Sequence, residues 1–418
     1  MKVFKNIVSG AVWTLLGLYI LIISLIHIPS IQRGMGEQTA HLLSGMLDTE
    51  VRIGTVDLGF LNRIIIDDVQ VYDRKHNEAL HAARIAVKID LASLLDNKIA
   101  ISSAQVFGTR IKLYQASKDT DLNIQFIIDA LSSKDDKKEK SPLDLRINTF
   151  IMQHSSISYD RYDVAPTPHK FNPSHINIDD ISAHISVKAL KKDSLDVIVK
   201  KLSFKEQSGL NLTRLAFHIN ANSNRACLQK FYLKMPGTEL NFNDITATYR
   251  TVNSKPVAGS LKFNGSTAVS SVTLSDFAFL LPTLRYFDDK WSITAAVNGS
   301  DKDINIPKLS INSHSGMFGM DAKGRISDLG AKPRWAIAVG NISFTPEMSA
   351  RIGNCLNKDG VPILPRLGHI QVSGNAESDG RITQAEINLS TSQAGDIAAN
   401  FSMTQDRLFS GNIKTDGT

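Results

Sequence analysis

Cysteine is nearly absent from this chain. Its 418 residues hold two, Cys227 and Cys355. Two thiols so far apart exclude a disulfide-stapled scaffold and a multi-cysteine metal site, and they leave open either one disulfide or two free thiols. Aromatic residues are scarce at 7%. That argues against a compact core centred on large rings and suits a repetitive sheet rich in Ile, Leu, Val, Ser and Thr. An excess of one charge sign is missing as well. The 47 basic and 41 acidic residues give +6, and Lys2, Lys5 and Arg33 supply three of those charges, so the rest carries 6 − 3 = +3. No concentrated basic stripe remains for nucleic acid, and none is expected as a partner. The dense charge run from Lys134 to Lys140 mixes both signs and reads as a solvated loop.

Recognisable catalytic motifs are missing too. The chain has no G-x-G-x-x-G, P-loop, G-x-S-x-G, H-E-x-x-H or C-x-x-C. His169 and His175, with Asp160 and Asp163, can be drawn as a metal site, but their spacing is not diagnostic and a solvent-exposed loop is the better reading. The adjacent pairs Asp67-Asp68, Asp179-Asp180 and Asp288-Asp289 point to opposite faces of a strand, so they make no acid/base pair. No catalytic, metal or cofactor-binding residue is assigned. The expectation is a protein that is not an enzyme and uses no cofactor.

What the sequence does contain begins with one long apolar run. Ile7 to Ile28 carries no charge and is long enough to cross a bilayer as a helix. Lys2 and Lys5 precede it, which has the right sign for a cytoplasmic N-terminus. Ser24-Leu25-Ile26-His27-Ile28-Pro29 offers no small-x-small cleavage site, so the run is expected to stay as an anchor. After Pro29 the spacing of Ile31, Met35, Leu42, Leu43, Met46 and Leu47 predicts an amphipathic helix, lying on the membrane or, by preference, plugging the end of a sheet.

Strands are predicted from Val51 onward: Val51–Leu58 with imperfect alternation, Ile64–Tyr72, Leu80–Asp90, then Ile99 to Gly108 and a further one at Ile111–Leu113. A helical turn is expected at Leu91–Leu95, and a short helix capped by Asp121 carries Ile124, Ile127, Ile128 and Leu131. Later strands are predicted at Ile157–Tyr162, Ile176–Val187, Leu195–Phe204, Leu210–Ile219, Gln229–Met235 and Leu240–Arg250, separated by turn signals. Ser275 is placed to cap a helix over Asp276–Leu281. Thr345-Pro346-Glu347 is placed to start one that runs to about Leu356. A loose repeat links Ile66-Asp67-Asp68-Val69, Ile178-Asp179-Asp180-Ile181 and Phe242-Asn243-Asp244-Ile245, with Leu274-Ser275-Asp276-Phe277 as a weaker copy. Its aspartates read as bulge or turn formers. The division expected is residues 1–29 as cytoplasmic N-terminus and anchor, 30–142 as a first module and 143–418 as a repetitive β region.

The anchor, the stretch Leu42-Leu43-Ser44-Gly45-Met46-Leu47-Asp48-Thr49-Glu50-Val51-Arg52-Ile53-Gly54-Thr55-Val56, the strand Ile64 to Tyr72, the stretch Ile85 to Leu91, Leu94-Leu95, Lys98-Ile99, Val106 to Ile111 and the helix Asn123 to Leu131 together resemble the N-terminal part of the AsmA-like superfamily of bacterial envelope proteins, in its TamB-like branch. The resemblance covers roughly residues 1 to 150. It implies a mainly β fold: a transmembrane helix followed by a long, curved, taco-like antiparallel sheet with an apolar groove, whose first module is similar to the chorein-like entrance of bridge-type lipid transfer proteins. It also implies an inner-membrane-anchored, periplasmic protein of envelope biogenesis that holds or conducts membrane phospholipids toward the outer membrane. The alternative is an assembly factor acting on outer-membrane or secreted proteins by strand addition. Family members are usually longer, so an outer-membrane β-barrel partner would be engaged through a region that this sequence does not contain. The sequence reads as a truncated or short member.

A groove of this kind needs apolar side chains at every second position, because each methylene taken from water is worth roughly 0.8 kcal/mol. The residues assigned to its floor are Ile85, Val87, Ile89, Ile99 and Ile101 near the entrance, then Val197, Val199, Leu215, Phe217 and Ile219. The other structure that these positions fit is the core of an ordinary β-sandwich.

Overall fold

A computed structural model describes residues 10, 13–14, 16–18, 20–21, 24–25, 27–59, 62–90, 99–132, 143–168, 170–191, 194–252, 255–329, 333–356, 364–404 and 408–416. The fold is mainly β, with 61% strand. Among the described residues, 21 strands form one mixed sheet and two more make a separate pair. No described helix is long and apolar enough to cross a membrane. The expected anchor, 7–28, is described only in part and is helical wherever it is described between 10 and 25. The helical turn expected at 91–95 and the charged loop at 134–140 lie outside the described residues.

The chain divides into two compact units, residues 1–187 with 203–207, and residues 188–202 with 208–418. The expected boundary at 142 falls in the connection between two strands that pair with each other.

In the first unit, helix α1 (Pro29–Leu47) is followed by β1 (Val51–Gly59), β2 (Arg63–Tyr72), β3 (Glu78–Asp90), β4 (Ile99–Gln115), helix α2 (Gln125–Ser132), β5 (Leu143–Arg161) and β6 (His175–Lys191). The helix after Pro29 forms as the spacing predicted, with proline in its first turn, where a missing N–H costs nothing. It covers the sheet: Met35, Ala40, Leu43 and Leu47 pack on a core of Val51, Ile53, Val56, Val69, Val71 and Ala82. Ile127 of α2 joins the same core. Ile99–Gly108 and Ile111–Leu113, expected as two strands, are one strand that passes through Gly108 at φ +57°. β4 and β5 run parallel, so the sheet is not purely antiparallel as expected. A parallel neighbour needs a crossover, and residues 116–142, with α2 inside them, supply it.

A line of bulges crosses this unit and explains the imperfect alternation of β1. Residues directly opposite each other across a ladder share a face. Val56, Ile66, Ile85, Val106, Met152 and Ala183 make one such row through β1 to β6. From β1 to β5 the next residue of that face is three positions away rather than two, Ile53 to Val56, Ile66 to Val69, Ala82 to Ile85, Val106 to Thr109 and Met152 to Ser155, and on β6 the three-residue step comes one row later, Ile178 to Ile181. Asp68 (φ +55°), Gly108 (+57°), His154 (+50°) and Asp180 (+53°) sit inside four of these steps. From β1 to β5 the extra residues lie opposite one another, so these ladders keep their register across the line and the same face stays apolar on both sides of it; there the register shifts only between β5 and β6. The aspartates of the sequence repeat are therefore bulge residues in its first two copies, as expected. Asn and Asp tolerate the left-handed conformation better than branched residues do. Asp180 is exposed, so Asp180→Gly is expected to be nearly neutral and Asp180→Val to cost about 1–2 kcal/mol, read from urea unfolding midpoints. Equal midpoints for the two variants would show that the bulge is not held by backbone preference.

The second unit holds most of β7 (Ser194–Glu206), then β8 (Asn211–Ala221), β9 (Arg225–Lys234), β10 (Glu239–Asn241), β11 (Ile245–Thr248), the isolated pair β12 (Thr251–Val252) and β13 (Lys255–Pro256), β14 (Lys262–Ser266) and β15 (Ser270–Thr273). The strand expected over Leu240–Arg250 is thus broken in two, because the third copy of the repeat lies in the gap. The helix expected over Asp276–Leu281 is a 3₁₀ turn, Leu274–Phe277. An antiparallel meander follows: β16 (Lys290–Ser300), β17 (Ile304–Ser313), β18 (Phe318–Ser327), β19 (Arg334–Phe344), β20 (Ile370–Ser378), β21 (Ile382–Thr391), β22 (Gly395–Thr404) and β23 (Phe409–Thr415). Helix α3, Pro346–Leu356, forms where Thr345-Pro346-Glu347 predicted it, and its Met348 and Ser349 are fully buried.

Candidate functional site

The meander separates its chemistry by face. One row across it reads Ile293, Ile311, Met320, Ile342, Val372, Leu389 and Ile397. A second begins at Ala221 on β8 and reads Ala226, Ala247, Phe263, Gly299, Ile304, Ile326, Trp335, Ser378, Thr383, Met403 and Phe409. On the other face the rows are polar. One is Lys323, Ala338, Asn375, Glu386, Asn400 and Asn412. Bulges between Ile306 and Leu309, and between Val339 and Ile342, preserve the face as they do in the first unit. Trp291 stacks on Phe318 at 4.9 Å and Arg351 of α3 pairs with Asp288 at 3.1 Å, so one end of the apolar face is closed. Toward β23 it is open, with Phe401 40% and Ile413 63% exposed.

The assigned floor residues with described side chains fall on the apolar face of each unit. Ile85 lies opposite Ile66 and Val106, and it packs on the core that α1 covers. Val87 lies opposite Ile64 and Ala104, in a row that continues to Phe150 and Ile185. Ile89 pairs with Ile101, one step past a second bulge. Ile99 pairs with Leu143, and its side chain is outside the described residues. In the second unit Leu215 is opposite Leu233, which is opposite Leu240, and Ile219 is opposite Leu228, which is opposite Ile245. Phe217 sits between them at the bulge made by Lys230, whose φ is +52°. Val197 is half-buried and Val199 is buried. Asp196, beside Val197, reaches the opposite face and bonds His218 Nε2 at 2.8 Å. The ordinary sandwich alternative needs a second sheet against these positions. Among the described residues the only other sheet is the two-residue pair β12–β13.

An open depression lies elsewhere. A cavity of about 1070 Å³ over β17 to β23 is lined by Lys323, Arg325, Glu377 and Glu386 of the polar face, with Ile337 and Phe401. Its mixed lining does not suit an acyl chain, so the apolar face, and not this depression, is the candidate site.

The polar outer face of the first unit is knitted across strands. Arg84 donates twice to Asp67, at 2.6 and 3.1 Å, while His81 bonds Asp68 and accepts from Arg110, each at 2.8 Å. Cys227 is a buried free thiol. Of the residues drawn as a metal site, His169 lies outside the described residues and Asp163 pairs with Arg161 at 2.7 Å. His175 is buried rather than in an exposed loop, a correction to the sequence reading. Its Nδ1 faces Asp160 at 2.8 Å and its Nε2 faces the Val164 carbonyl at 2.6 Å. With two acceptors and no donor facing it, the ring is held best as imidazolium. The Asp160 carboxylate, then the Val164 carbonyl, raise its pKa against the opposing effects of burial and Arg161. A raised folded value stabilises the fold fully below the ordinary histidine range, and that stabilisation is lost as pH rises through the raised value. His175→Gln is therefore expected to lower stability at acid pH by about 1.5–3 kcal/mol and to flatten this dependence. Urea midpoints across pH check it, and parallel curves for the two proteins would refute the imidazolium.

No family model, curated protein or solved structure matches this chain.

Proposed function

We propose that this protein holds or conducts phospholipid along the apolar face of its sheet, as a membrane-anchored, periplasmic component of bacterial envelope biogenesis. The observation that carries the reading is the register. In each unit apolar rows continue strand after strand across one face, while the opposite face of the meander is polar. An acyl chain laid along such a row exchanges water for hydrocarbon, and its headgroup stays in solvent at the open side. The work is done by burial, with no catalytic group or cofactor. In this reading residues 7–28 are a single inner-membrane anchor with a cytoplasmic N-terminus, the sheet curves around its apolar face like a taco, and the protein is a TamB-like member of the AsmA-like superfamily.

The test is mass spectrometry of organic extracts from the chain purified out of an envelope-expressing host under mild detergent. Phospholipid near stoichiometric with protein supports the reading. A well-folded protein free of lipid sinks it. That second outcome favours an assembly factor working by strand addition, for which β23 is the observation: among the described strands its ladder is with β22, and it is exposed along its whole length.

A further inference from the structure

Helix α1 is apolar on two sides, and the sheet uses only one. Gly36, Ala40, Leu43 and Leu47 turn toward β1 and the core. A second line, one step round the helix, points away from the protein at both its ends: Ile31 is 39%, Leu42 67% and Met46 70% exposed, while Met35, which shares this line, turns in to the core. Gly34 and Gly45, which flank this line, have no atom of the protein within 4 Å of where a methyl side chain would stand. Among the exposed charged and polar residues, Arg33, Glu37, His41 and Asp48 follow a separate line at the same helical spacing, while Gln38 borders the apolar one. An exposed surface split into an apolar and a polar stripe is the pattern of a helix lying at a water–lipid boundary. The apolar stripe runs about 22 Å, from Ile31 to Met46 at 1.5 Å per residue, so it suits a flat surface and not a single pocket.

The chain on its N-terminal side says what covers it. Ile28 is the residue that caps α1, and Leu21, Leu25 and Ile28 are themselves 56%, 44% and 41% exposed. The sequence thus continues without a charged residue from Ile7 into the first turn of α1, with apolar residues exposed at Leu21, Leu25 and Ile28. Any surface that takes up the run lies beside the stripe.

We propose that α1 lies in the membrane interface, with Ile31, Leu42 and Met46 in the acyl boundary and its opposite side carrying β1 to β3. This rests on the anchored reading above. It adds that the entrance strands are seated against the bilayer, so that a lipid reaches the sheet without crossing open water. The partner is the lipid surface itself. Arg33 against Glu37 and Asp48 gives the polar stripe 1 − 2 = −1, so the contact is driven by apolar burial and not by attraction to anionic lipid.

The test uses the full chain, with Cys227→Ala and Cys355→Ala, reconstituted into vesicles of phosphatidylethanolamine and phosphatidylglycerol. Environment-sensitive fluorophores are attached at Leu42→Cys or Met46→Cys, and at Glu37→Cys or His41→Cys for comparison. All four positions are exposed, so folding is expected to survive and is checked by circular dichroism. Severalfold quenching by a lipid-borne quencher at 42 and 46 but not at 37 and 41 is the expected result. If the chain floats with vesicles while all four positions are quenched alike by aqueous iodide, the interfacial helix is overturned and the anchor stands. A chain that does not float overturns both. A second variant, Leu42→Asp with Met46→Asp, should still float, yet show severalfold less lipid quenching at Ile31→Cys. Unchanged quenching there overturns the proposal.

Discussion

Gly36→Leu is expected to strip helix α1 from the sheet and to cost about 3 kcal/mol or more. A methyl built on Gly36 already stands 3.1 Å from the Gly54 carbonyl oxygen and 3.2 Å from that of Ile53. These are main-chain atoms of β1, fixed by their ladder to β2 and unable to yield as a side-chain tip can. Three more carbons have no place to go except between helix and strand. Separation then uncovers Val51, Ile53 and Val56, all buried beneath the helix. Gly45→Leu on the same helix is the internal control, since nothing lies within 4 Å of its methyl position. There, helix propensity alone predicts a gain of up to about 1 kcal/mol. Hydrogen exchange of β1 and β2 amides, alongside urea unfolding, separates the two. If Gly36→Leu keeps those amides as protected as in the parent, the close approach of α1 is wrong.

Charge on the apolar face carries the second large effect. Val87→Asp with Ile89→Asp places two carboxylates in rows whose neighbours are Ile64, Ala104 and Ile101. Leaving an ionised group against hydrocarbon without a partner costs several kcal/mol. Every 1.4 kcal/mol is a factor of ten in occupancy, so phospholipid recovered with the protein should fall at least about a hundredfold. Both positions are half-buried rather than sealed in the core, and the ladders from β2 to β4 are main-chain bonds that do not depend on these side chains. The sheet is therefore expected to survive with a lower urea midpoint, and circular dichroism reports that directly. Asp placed on the polar face, at Asn400, is the matching control and should leave bound lipid unchanged. Normal lipid content in a folded Val87→Asp, Ile89→Asp protein removes these residues from the path.

The two outcomes bear on different parts of one design. Helix α1 covers the part of the apolar face formed by Val51, Ile53, Val56, Val69, Val71 and Ala82, and α3 with Trp291 closes part of it in the second unit. Between such covers the face must be wet, or occupied by something other than protein. Exposed Ile337 and Phe401 illustrate the cost, because contiguous apolar surface left in water is rare without a partner.

The sequence alone determined that the chain is a succession of strands, and it located most of them to within a few residues. Short-range physics suffices for this: period-two alternation, turn residues and helix caps such as Thr345-Pro346-Glu347 act over a few positions. Alternation also picked out apolar residues that, where their side chains are described, share one face within each strand, and the aspartate repeat was marked as a bulge signal. The repeat was legible because Asp68 and Asp180 each interrupt an apolar period by one residue. Other features were invisible. That β4 and β5 pair in parallel depends on where the 116–142 crossover returns the chain, which no local pattern encodes. Gly108 looked like a strand end because its left-handed backbone is legible only against the bulges of its neighbours. His175 read as a loop residue, since its two partners, Asp160 and the Val164 carbonyl, lie 15 and 11 residues away and meet only when the loop folds back. Alternation tells which side chains share a face. Which residues of different strands line up into continuous rows is set by the long-range register, and only the tertiary structure decided it.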